Sequence, residues 1–217
     1  MILNILVGGP KEQWPDELVV GNIQGPWIGV DRGALRLVQL GITPELSIGD
    51  FDSMTESEFK LVTQHSRHTK TANPEKDDTD TELALREAIA NFTFDTVMIY
   101  GATGGRIDHL LANLFFIFRE PFNTMFEKIC LVDKQNSIRF FKPGSYHLVK
   151  EDGKKYLAFI PLTQVTHLSL IDEKYTLNKT DFVYPVSLAS NEFVGDTGEF
   201  SFKSGVVAVI QSRDDEK

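Results

Sequence analysis

In the first half of the chain, short apolar runs alternate with longer segments whose hydrophobic residues have helical spacing. Residues 2–7, 27–30 and 96–100 are almost entirely apolar, as expected of strands that are covered on both faces in a parallel sheet. Segments 34–38 and 83–89 instead place apolar residues three or four positions apart, which indicates helices with one buried face. This alternation predicts an α/β N-terminal domain with a mostly parallel, Rossmann-like sheet.

The hydrophobic pattern changes near residue 134. Before that point, the apolar positions 110, 111, 114, 115 and 118 predict one more core-facing helix, which Pro121 ends. After it, short β-rich segments are mostly separated by turn signals, which is typical of an antiparallel sandwich or barrel. These segments are 137–141, 146–149, 156–160, 165–170, 182–186, 199–203 and 206–211. We therefore expect two domains, an α/β domain over residues 1–135 and an all-β domain over residues 136–217.

Composition narrows the class of protein. With 217 residues and 41% hydrophobic residues, the chain can bury a substantial core. The net charge of −9 and the absence of a long basic tract argue against general binding to nucleic acid or to an anionic membrane. The single cysteine, Cys130, lies in an apolar run and is expected to be a buried structural thiol. The chain starts with an apolar segment that lacks a basic region and is too short for a signal sequence, so we expect a cytoplasmic protein.

The segment Gly49-Asp50-Phe51-Asp52-Ser53 follows an apolar stretch and carries the first candidate chemistry. Two carboxylates one residue apart at a strand end can face one cation if a tight turn holds them there, and Gly49 allows such a turn. Carboxylate oxygens suit Mg²⁺, which usually completes its shell with water and substrate phosphates. The alternative is a solvated turn, because these residue types are common in turns.

A second acidic cluster, Asp77-Asp78-Thr79-Asp80, favours the metal interpretation. Thr79 and Glu82 have the spacing of a capping box, as do Thr55 and Glu58, so both pairs predict helix starts. Asp80 then lies in a first helical turn, where the helix dipole alone would favour an anion.

A third polar segment, residues 101–109, follows the strand predicted at 96–100. Gly104 and Gly105 expose backbone amides, and Arg106 is a forked donor suited to phosphate oxygens. Asp108 could orient Arg106, bind metal or cap the helix, and His109 fits a structural hydrogen bond better than proton transfer. In open α/β sheets, ligands bind outside the carboxyl ends of the strands, so these loops can converge on one site.

Two junctions near the N-terminus leave alternatives open. Gly8-Gly9 could let a phosphate or base approach the backbone, or could simply end a strand. Asp31, between a predicted strand and a predicted helix, could contact a nucleotide or cap the helix.

Taken in order, these segments resemble the thiamine pyrophosphokinase (thiamine diphosphokinase) family. The matching residues are Asp31-Arg32-Gly33-Ala34, Gly49-Asp50-Phe51-Asp52-Ser53, Asp77-Asp78-Thr79-Asp80, Gly104-Gly105-Arg106-Ile107-Asp108-His109 and Ser190-Asn191-Glu192-Phe193. The resemblance implies a homodimeric enzyme that moves the β,γ-diphosphate of ATP, with Mg²⁺, onto the hydroxyl of thiamine and releases AMP.

The resemblance also implies roles for individual residues. Asp50, Asp52 and Asp80 would hold Mg²⁺, with Asp77 facing the same site. The nucleotide and its phosphates would contact Gly9, Asp31, Arg32, Gly33, Asp50, Thr79, Gly104 and Arg106. Thiamine and the transferred group would contact Asp77, Asp108, His109, Ser190 and Asn191, the last two in a cleft completed by the partner subunit.

In this chain the family's glycine-alanine-aspartate-glycine-glycine loop reads Gly29-Val30-Asp31-Arg32-Gly33, which makes Arg32 an additional candidate ligand of phosphate or ribose. Asp77 and Asp108 are the candidate general bases.

Two other functions fit parts of this pattern. Asp50-Phe51-Asp52 is similar to the nucleophile motif of haloacid-dehalogenase-like phosphatases, although that motif usually follows the first strand and here follows roughly the third. A non-catalytic sensor of nucleotide or thiamine would keep the same fold. A purely structural account, in which every aspartate caps a helix and every glycine forms a turn, explains each motif singly and not their ordered occurrence.

Overall fold

The computed structural model describes residues 1–72 and 78–214. Asp77, a predicted catalytic residue, lies outside these ranges. The chain divides into two compact units, Met1–Lys134 and Gln135–Lys217.

The N-terminal unit contains a parallel sheet with the strand order β6-β5-β1-β2-β3-β4. Its strands are β1 (Ile2–Leu6), β2 (Trp27–Val30), β3 (Leu46–Gly49), β4 (Thr69–Thr71), β5 (Thr96–Tyr100) and β6 (Ile129–Val132). The chain adds β2, β3 and β4 on one side of β1 and then returns to add β5 and β6 on the other. This reversal places the crevice expected at a topological switch point next to the carboxyl end of β1.

Helices and short 3-10 turns connect these strands. The helices are α1 (Asp16–Val19), α2 (Arg32–Gln39), α3 (Glu56–His65), α4 (Asp80–Asn91) and α5 (Ile107–Phe115), and the 3-10 turns are Lys11–Gln13, Phe116–Phe118, Phe122–Thr124 and Phe126–Lys128. Both predicted capping boxes are present: Thr55 accepts from the Glu58 backbone N–H and Thr79 from that of Glu82, and each glutamate side chain accepts from its threonine's N–H. Cys130 is fully buried, as expected from its apolar neighbours.

The prediction that α5 faces the core is wrong. Leu111 and Phe115 are exposed, and Asn113 is the buried residue of this helix. The α-helix ends at Phe115, well before Pro121, and continues as the 3-10 turn Phe116–Phe118. This tighter winding changes the angular spacing of the side chains, so that Phe116 and Ile117 are buried instead.

The C-terminal unit is a sandwich of two antiparallel sheets. Its strands are β7 (Asn136–Phe141), β8 (Gly144–Val149), β9 (Tyr156–Pro161), β10 (Val165–Leu170), β11 (Leu177–Phe182), β12 (Leu188–Glu192), β13 (Thr197–Phe202) and β14 (Val207–Ser212). Within this unit, β12-β9-β14-β7 are neighbours in one sheet and β11-β10-β13-β8 form the other. Side chains from both sheets, including Phe159 and Phe200, form one apolar core. The predicted fold class is therefore confirmed.

One predicted strand, residues 182–186, is misplaced. The structure has β11 at Leu177–Phe182, and the residues after it lead to a further strand, β12, that the sequence pattern did not show. Pro185 lacks the N–H that a strand ladder needs, while β11 has largely polar residues because much of it is exposed. β12 is a short strand at the sheet edge with a register shift between Leu188 and Asn191, which hides any alternation.

Across the residues that the structure describes, none of the helices has the length and apolar character needed to cross a membrane.

Candidate active site

The carboxyl ends of the parallel strands bring several predicted site residues to one edge of the N-terminal sheet. Asp31 directly follows β2, and Asp50 directly follows β3. These two strands are paired in parallel, with Val30 opposite Ile48. Two aspartates that are 19 positions apart in the sequence therefore lie at neighbouring strand ends.

Asp31 occupies the position before α2 but does not cap that helix with its side chain. Its Oδ1 instead accepts a hydrogen bond from the Phe51 N–H at 3.2 Å, and its own N–H donates to the Ile48 carbonyl at 2.9 Å. A Cβ at Gly49 would stand 1.7 Å from Asp31 Oδ1, so only glycine leaves room for this carboxylate. The alternative in which Asp31 simply caps α2 is excluded.

Asp31 also faces Asp80, which lies in the first turn of α4. Burial raises the pKa of Asp31 to about 7, with further contributions from the charge of Asp80, from a hydrogen bond between the two carboxyl groups and from the charge of Asp50. The hydrogen bond from Phe51 opposes this shift. The structure thus gathers Asp31, Asp50 and Asp80, whereas the sequence indicated only a nucleotide contact or a helix cap for Asp31.

Asp50 and Asp52 do not continue β3. Asp50 is half-buried, and its Oδ1 accepts from the Asp52 N–H at 3.1 Å, while the Asp52 side chain is exposed. Within residues 1–72 and 78–214, no group of three or more His, Cys, Asp or Glu side chains is already arranged around a metal position. The donor set nevertheless fits a hard divalent cation, because it consists of carboxylates whose mutual repulsion a cation would relieve.

Arg106 and Asp108 form a two-point ion pair at the start of α5. Arg106 Nε donates to Asp108 Oδ1 at 3.1 Å, and its Nη2 donates to Oδ2 at 2.6 Å. This hydrogen bonding lowers the pKa of Asp108 and raises that of Arg106. Of the three roles open to Asp108, the structure shows it orienting Arg106. Both side chains are exposed, as are Gly104 and His109 in the same segment.

Two of the three predicted glycine contacts, Gly9 and Gly33, have clear backbone roles. The Gly9 N–H donates to the Gly101 carbonyl at 2.9 Å, and the Gly9 carbonyl accepts from Arg36 Nη1 at 2.5 Å. The first bond ties the loops after β1 and β5 together at the switch point, and the second ties the loop after β1 to α2. A Cβ at Gly33 would lie 2.0 Å from the Leu6 carbonyl oxygen, so this glycine lets α2 pack closely on β1.

Arg32 reaches over the acidic segment that follows β3. Its Nη1 donates to the Ser53 carbonyl at 2.9 Å, and its Nη2 lies 3.6 Å from Glu58 Oε1. In this structure Arg32 therefore holds protein groups, rather than pointing freely toward a phosphate or ribose.

Sequence reasoning missed an ion-pair network beside Asp80. Asp78 Oδ2 lies 2.6 Å from Arg86 Nε, and Asp78 Oδ1 lies 3.2 Å from Arg119 Nη2. Arg119 also pairs with the buried Glu82 of the capping box. In the sequence, only the acidic character of Asp78 indicated such a network. Its partner Arg119 lies too far along the chain to be recognised without the fold. The network fixes the start of α4, which presents Asp80.

The C-terminal unit contains the two remaining predicted residues. Ser190 is exposed and has a positive φ of 60° at the irregular part of β12. Asn191 is buried, and its amide accepts from the Tyr175 N–H and donates to the Tyr175 carbonyl, both at 2.8 Å. Asn191 thus holds the backbone of Tyr175, whose side chain is 60% exposed.

Comparison with known proteins gives consistent matches along the chain. A family model described as thiamin pyrophosphokinase, catalytic domain, matches residues 23–130, and one described as thiamin pyrophosphokinase, vitamin B1 binding domain, matches residues 145–207. Thiamine pyrophosphokinase from Bacillus subtilis is 39% identical over 214 residues, which cover 98% of this chain and 99% of that protein.

Solved structures agree with these matches. A thiamin pyrophosphokinase family protein from Enterococcus faecalis is 44% identical, with a TM-score of 0.92 and coverage of 99% of both chains. A protein from Lactobacillus plantarum is 50% identical, with a TM-score of 0.87 and coverage of 99% of this chain and 100% of that one.

Proposed function

Because the chain belongs to the thiamine pyrophosphokinase family, we propose that it transfers the β,γ-diphosphate of ATP to the hydroxyl group of thiamine. The products are thiamine diphosphate and AMP. The observation that carries this proposal is the gathering of Asp31, Asp50 and Asp80 at the carboxyl edge of the sheet, within a chain matched by both family domains.

The chemistry asked of the protein is mainly positioning and charge neutralisation. The hydroxyl oxygen of thiamine attacks the β-phosphorus, the bond from that phosphorus to the oxygen bridging the α-phosphate breaks, and AMP leaves with that oxygen. The hydroxyl proton passes to a base. Such a displacement needs the acceptor oxygen in line with the breaking bond, a geometry that the residues around the site must impose.

We infer that Asp50, Asp52 and Asp80 hold Mg²⁺, and we propose Asp31 as a further ligand because it lies beside Asp80 and Asp50. When bound, Mg²⁺ would neutralise phosphate oxygens and help align them. Arg106, oriented by Asp108, would neutralise charge on the transferred group. Asp108 is a poor general base while this ion pair lowers its pKa, which leaves Asp77 as the other candidate.

We propose that the C-terminal unit binds thiamine around Ser190 and the segment that Asn191 holds. Tyr175 is an exposed aromatic whose backbone is fixed by Asn191, and such a ring can stack on a flat heterocycle. We also propose a homodimer in which the partner completes the thiamine cleft, and a cytoplasmic location. These two inferences rest on the family resemblance and on composition.

The phosphatase and sensor alternatives lack comparable support. The Asp50-Phe51-Asp52 segment follows the third strand of the sheet rather than the first. A sensor would have no need for the full acidic set that this chain keeps.

The test is AMP release from ATP and MgCl₂, measured with and without thiamine and with AMP resolved from ADP. We expect thiamine-dependent AMP that Asp50→Asn reduces at least 100-fold, while Asp152→Asn, an exposed substitution in the other unit, leaves it unchanged. Release of ADP or phosphate without dependence on thiamine would overturn the proposed reaction.

A further inference from the structure

In the acidic segment after β3, Phe51 has a backbone conformation that a residue other than glycine does not favour. Gly49 has a φ of 153° and Phe51 a φ of 57°. Phenylalanine in the left-handed region is strained because its Cβ crowds the following carbonyl. Some interaction of Phe51 must therefore offset this strain and keep the segment turned.

The side chain of Phe51 provides that interaction. It is only 5% exposed and belongs to an apolar cluster with Ala34, Leu35 and Val62 from α2 and α3. Its ring centroid lies 5.1 Å from that of Phe59 at an interplanar angle of 48°. The middle residue of the Asp-Phe-Asp triplet is thus anchored in the core between the two helices that flank the site.

The buried Phe51 ring fixes the positions of the carboxylates on either side of it, those of Asp50 and Asp52. With the Phe51 ring turned inward, Asp50 remains half-buried and Asp52 is exposed. The Phe51 N–H also donates to Asp31 Oδ1 at 3.2 Å, which connects the anchored residue to the carboxylate that faces Asp80. A regular strand would instead have pointed Phe51 away from both aspartates without constraining Asp31.

We propose that Phe51 is a positioning residue whose buried ring sets the spacing of the Asp31, Asp50 and Asp52 carboxylates for a divalent cation. This inference rests on the proposed function, since it assigns Phe51 to the metal site of that reaction. In this proposal Phe51 acts through the backbone of the acidic segment, because its ring is buried among apolar side chains.

The test compares Phe51→Leu with Phe59→Leu. Both substitutions remove one ring of the contact between Phe51 and its partly buried neighbour Phe59, and leucine and phenylalanine are similarly strained at positive φ. Only Phe51, however, lies between the aspartates. We expect Phe51→Leu to weaken binding of Mn²⁺, titrated as MnCl₂ and followed by electron paramagnetic resonance, at least 10-fold, and Phe59→Leu to weaken it less than 2-fold.

A second readout is the dependence of thiamine-stimulated AMP release on MgCl₂ concentration. We expect Phe51→Leu to raise the MgCl₂ concentration for half-maximal rate by a similar factor, while saturating MgCl₂ restores most of the rate. Phe51→Met, whose apolar side chain is unbranched, should raise this MgCl₂ concentration by a smaller factor. It replaces Phe51→Leu in the test if that variant does not fold.

Equal effects of the two leucine variants on Mn²⁺ binding would reduce Phe51 to a packing role and overturn the proposal. The proposal is also overturned if folded Phe51→Leu and Phe51→Met bind Mn²⁺ as tightly as the unsubstituted protein. It is likewise overturned if the unsubstituted protein does not bind Mn²⁺. A protein that binds Mn²⁺ but releases no thiamine-dependent AMP would contradict the proposed function alone, because the Mn²⁺ titrations would still decide the role of Phe51.

Discussion

At the scale of single residues, Asp31 carries an electrostatic cost in the absence of a cation. Its carboxylate is partly desolvated and faces the charges of Asp80 and Asp50. We predict that Asp31→Asn stabilises the Mg²⁺-free protein by about 1 kcal/mol at pH 8, because it removes one of the repelling charges. We also expect MgCl₂ to raise the melting temperature of the unsubstituted protein and not that of Asp31→Asn.

The matched control is Asp52→Asn, which removes a charge from the exposed side of the same site. Its effect on Mg²⁺-free stability should stay within about 0.5 kcal/mol. Thermal unfolding with and without MgCl₂ measures both effects. Destabilisation of the Mg²⁺-free protein by Asp31→Asn would contradict this prediction. It would show that the hydrogen bond from the Phe51 N–H to the Asp31 carboxylate stabilises the protein more than the charge of Asp31 destabilises it.

Glu173 predicts a pH dependence in the C-terminal unit. It is 3% exposed, and neither carboxyl oxygen makes a well-formed hydrogen bond within the described part of the chain. Burial, with the nearby charge of Asp172, raises the pKa of Glu173 from 4.5 to about 7, although neighbouring backbone amides partly oppose this. Ionisation is therefore unfavourable in the folded protein, and its cost should grow as pH rises from 4.5 toward 7 and level off above that value.

We predict that Glu173→Gln removes this loss of stability. Relative to the unsubstituted protein, the variant should gain on the order of 1–3 kcal/mol between pH 5 and pH 8. Urea unfolding at the two pH values measures the difference, with Asp152→Asn as an exposed control in the same unit. Parallel stability profiles for the unsubstituted and Glu173→Gln proteins would mean that Glu173 gains solvent or a partner.

At the scale of elements, the two capping boxes offer a matched pair. Thr55 caps α3 and Thr79 caps α4 with the same hydrogen bonds. We predict that Thr55→Ala and Thr79→Ala each cost about 1 kcal/mol of stability. Only Thr79→Ala should also lower the rate of AMP release, by roughly 10-fold, because Asp80 is the first residue of α4.

Steady-state kinetics beside chemical denaturation separates these effects. If both alanine variants lowered the rate equally, the start of α4 would have no special part in positioning Asp80. A normal rate in Thr79→Ala would show that the ion pairs of Asp78 hold the helix start without the cap.

The sequence predicted those elements whose signal is local. Capping boxes, the apolar runs of β2 and β5 and the turn at Gly49 all depend on a few adjacent residues, and they appear where expected. The buried face of α5 was mispredicted because nearly every residue from Leu110 to Phe118 is apolar, so helical spacing alone could not choose a face. β12 was missed because its pairing with β9 is irregular.

At the scale of the whole molecule, the two units are expected to bind different ligands. We predict that ATP with MgCl₂ slows hydrogen exchange mainly in residues 48–53 and 78–82, while thiamine slows it mainly in residues 173–176 and 188–192. Exchange measured by mass spectrometry with each ligand alone, and with AMP as a nucleotide control, tests this assignment. Protection of the same unit by both ligands would contradict it.

The sequence could predict that polar loops meet at one sheet edge, but not which side chains meet there. Asp31 and Asp80 come together because β2 and the start of α4 are brought together by strands far apart in the chain. Likewise, the contact of Asn191 with Tyr175 depends on how β12 runs beside the segment before β11. These are long-range consequences of topology, which no local pattern contains.

The position of β1 also has a consequence for biosynthesis. β1 precedes the other strands of its sheet in the chain, yet it lies between β2 and β5, and Ile2 pairs with Thr96. At roughly 5–20 residues per second, a ribosome needs on the order of 5–20 s to extend the chain from β1 to β5. Throughout that interval the edge of β1 that later pairs with β5 has no native partner, so the nascent chain is prone to aggregation. A chaperone that covered β1 during this time would prevent such aggregation.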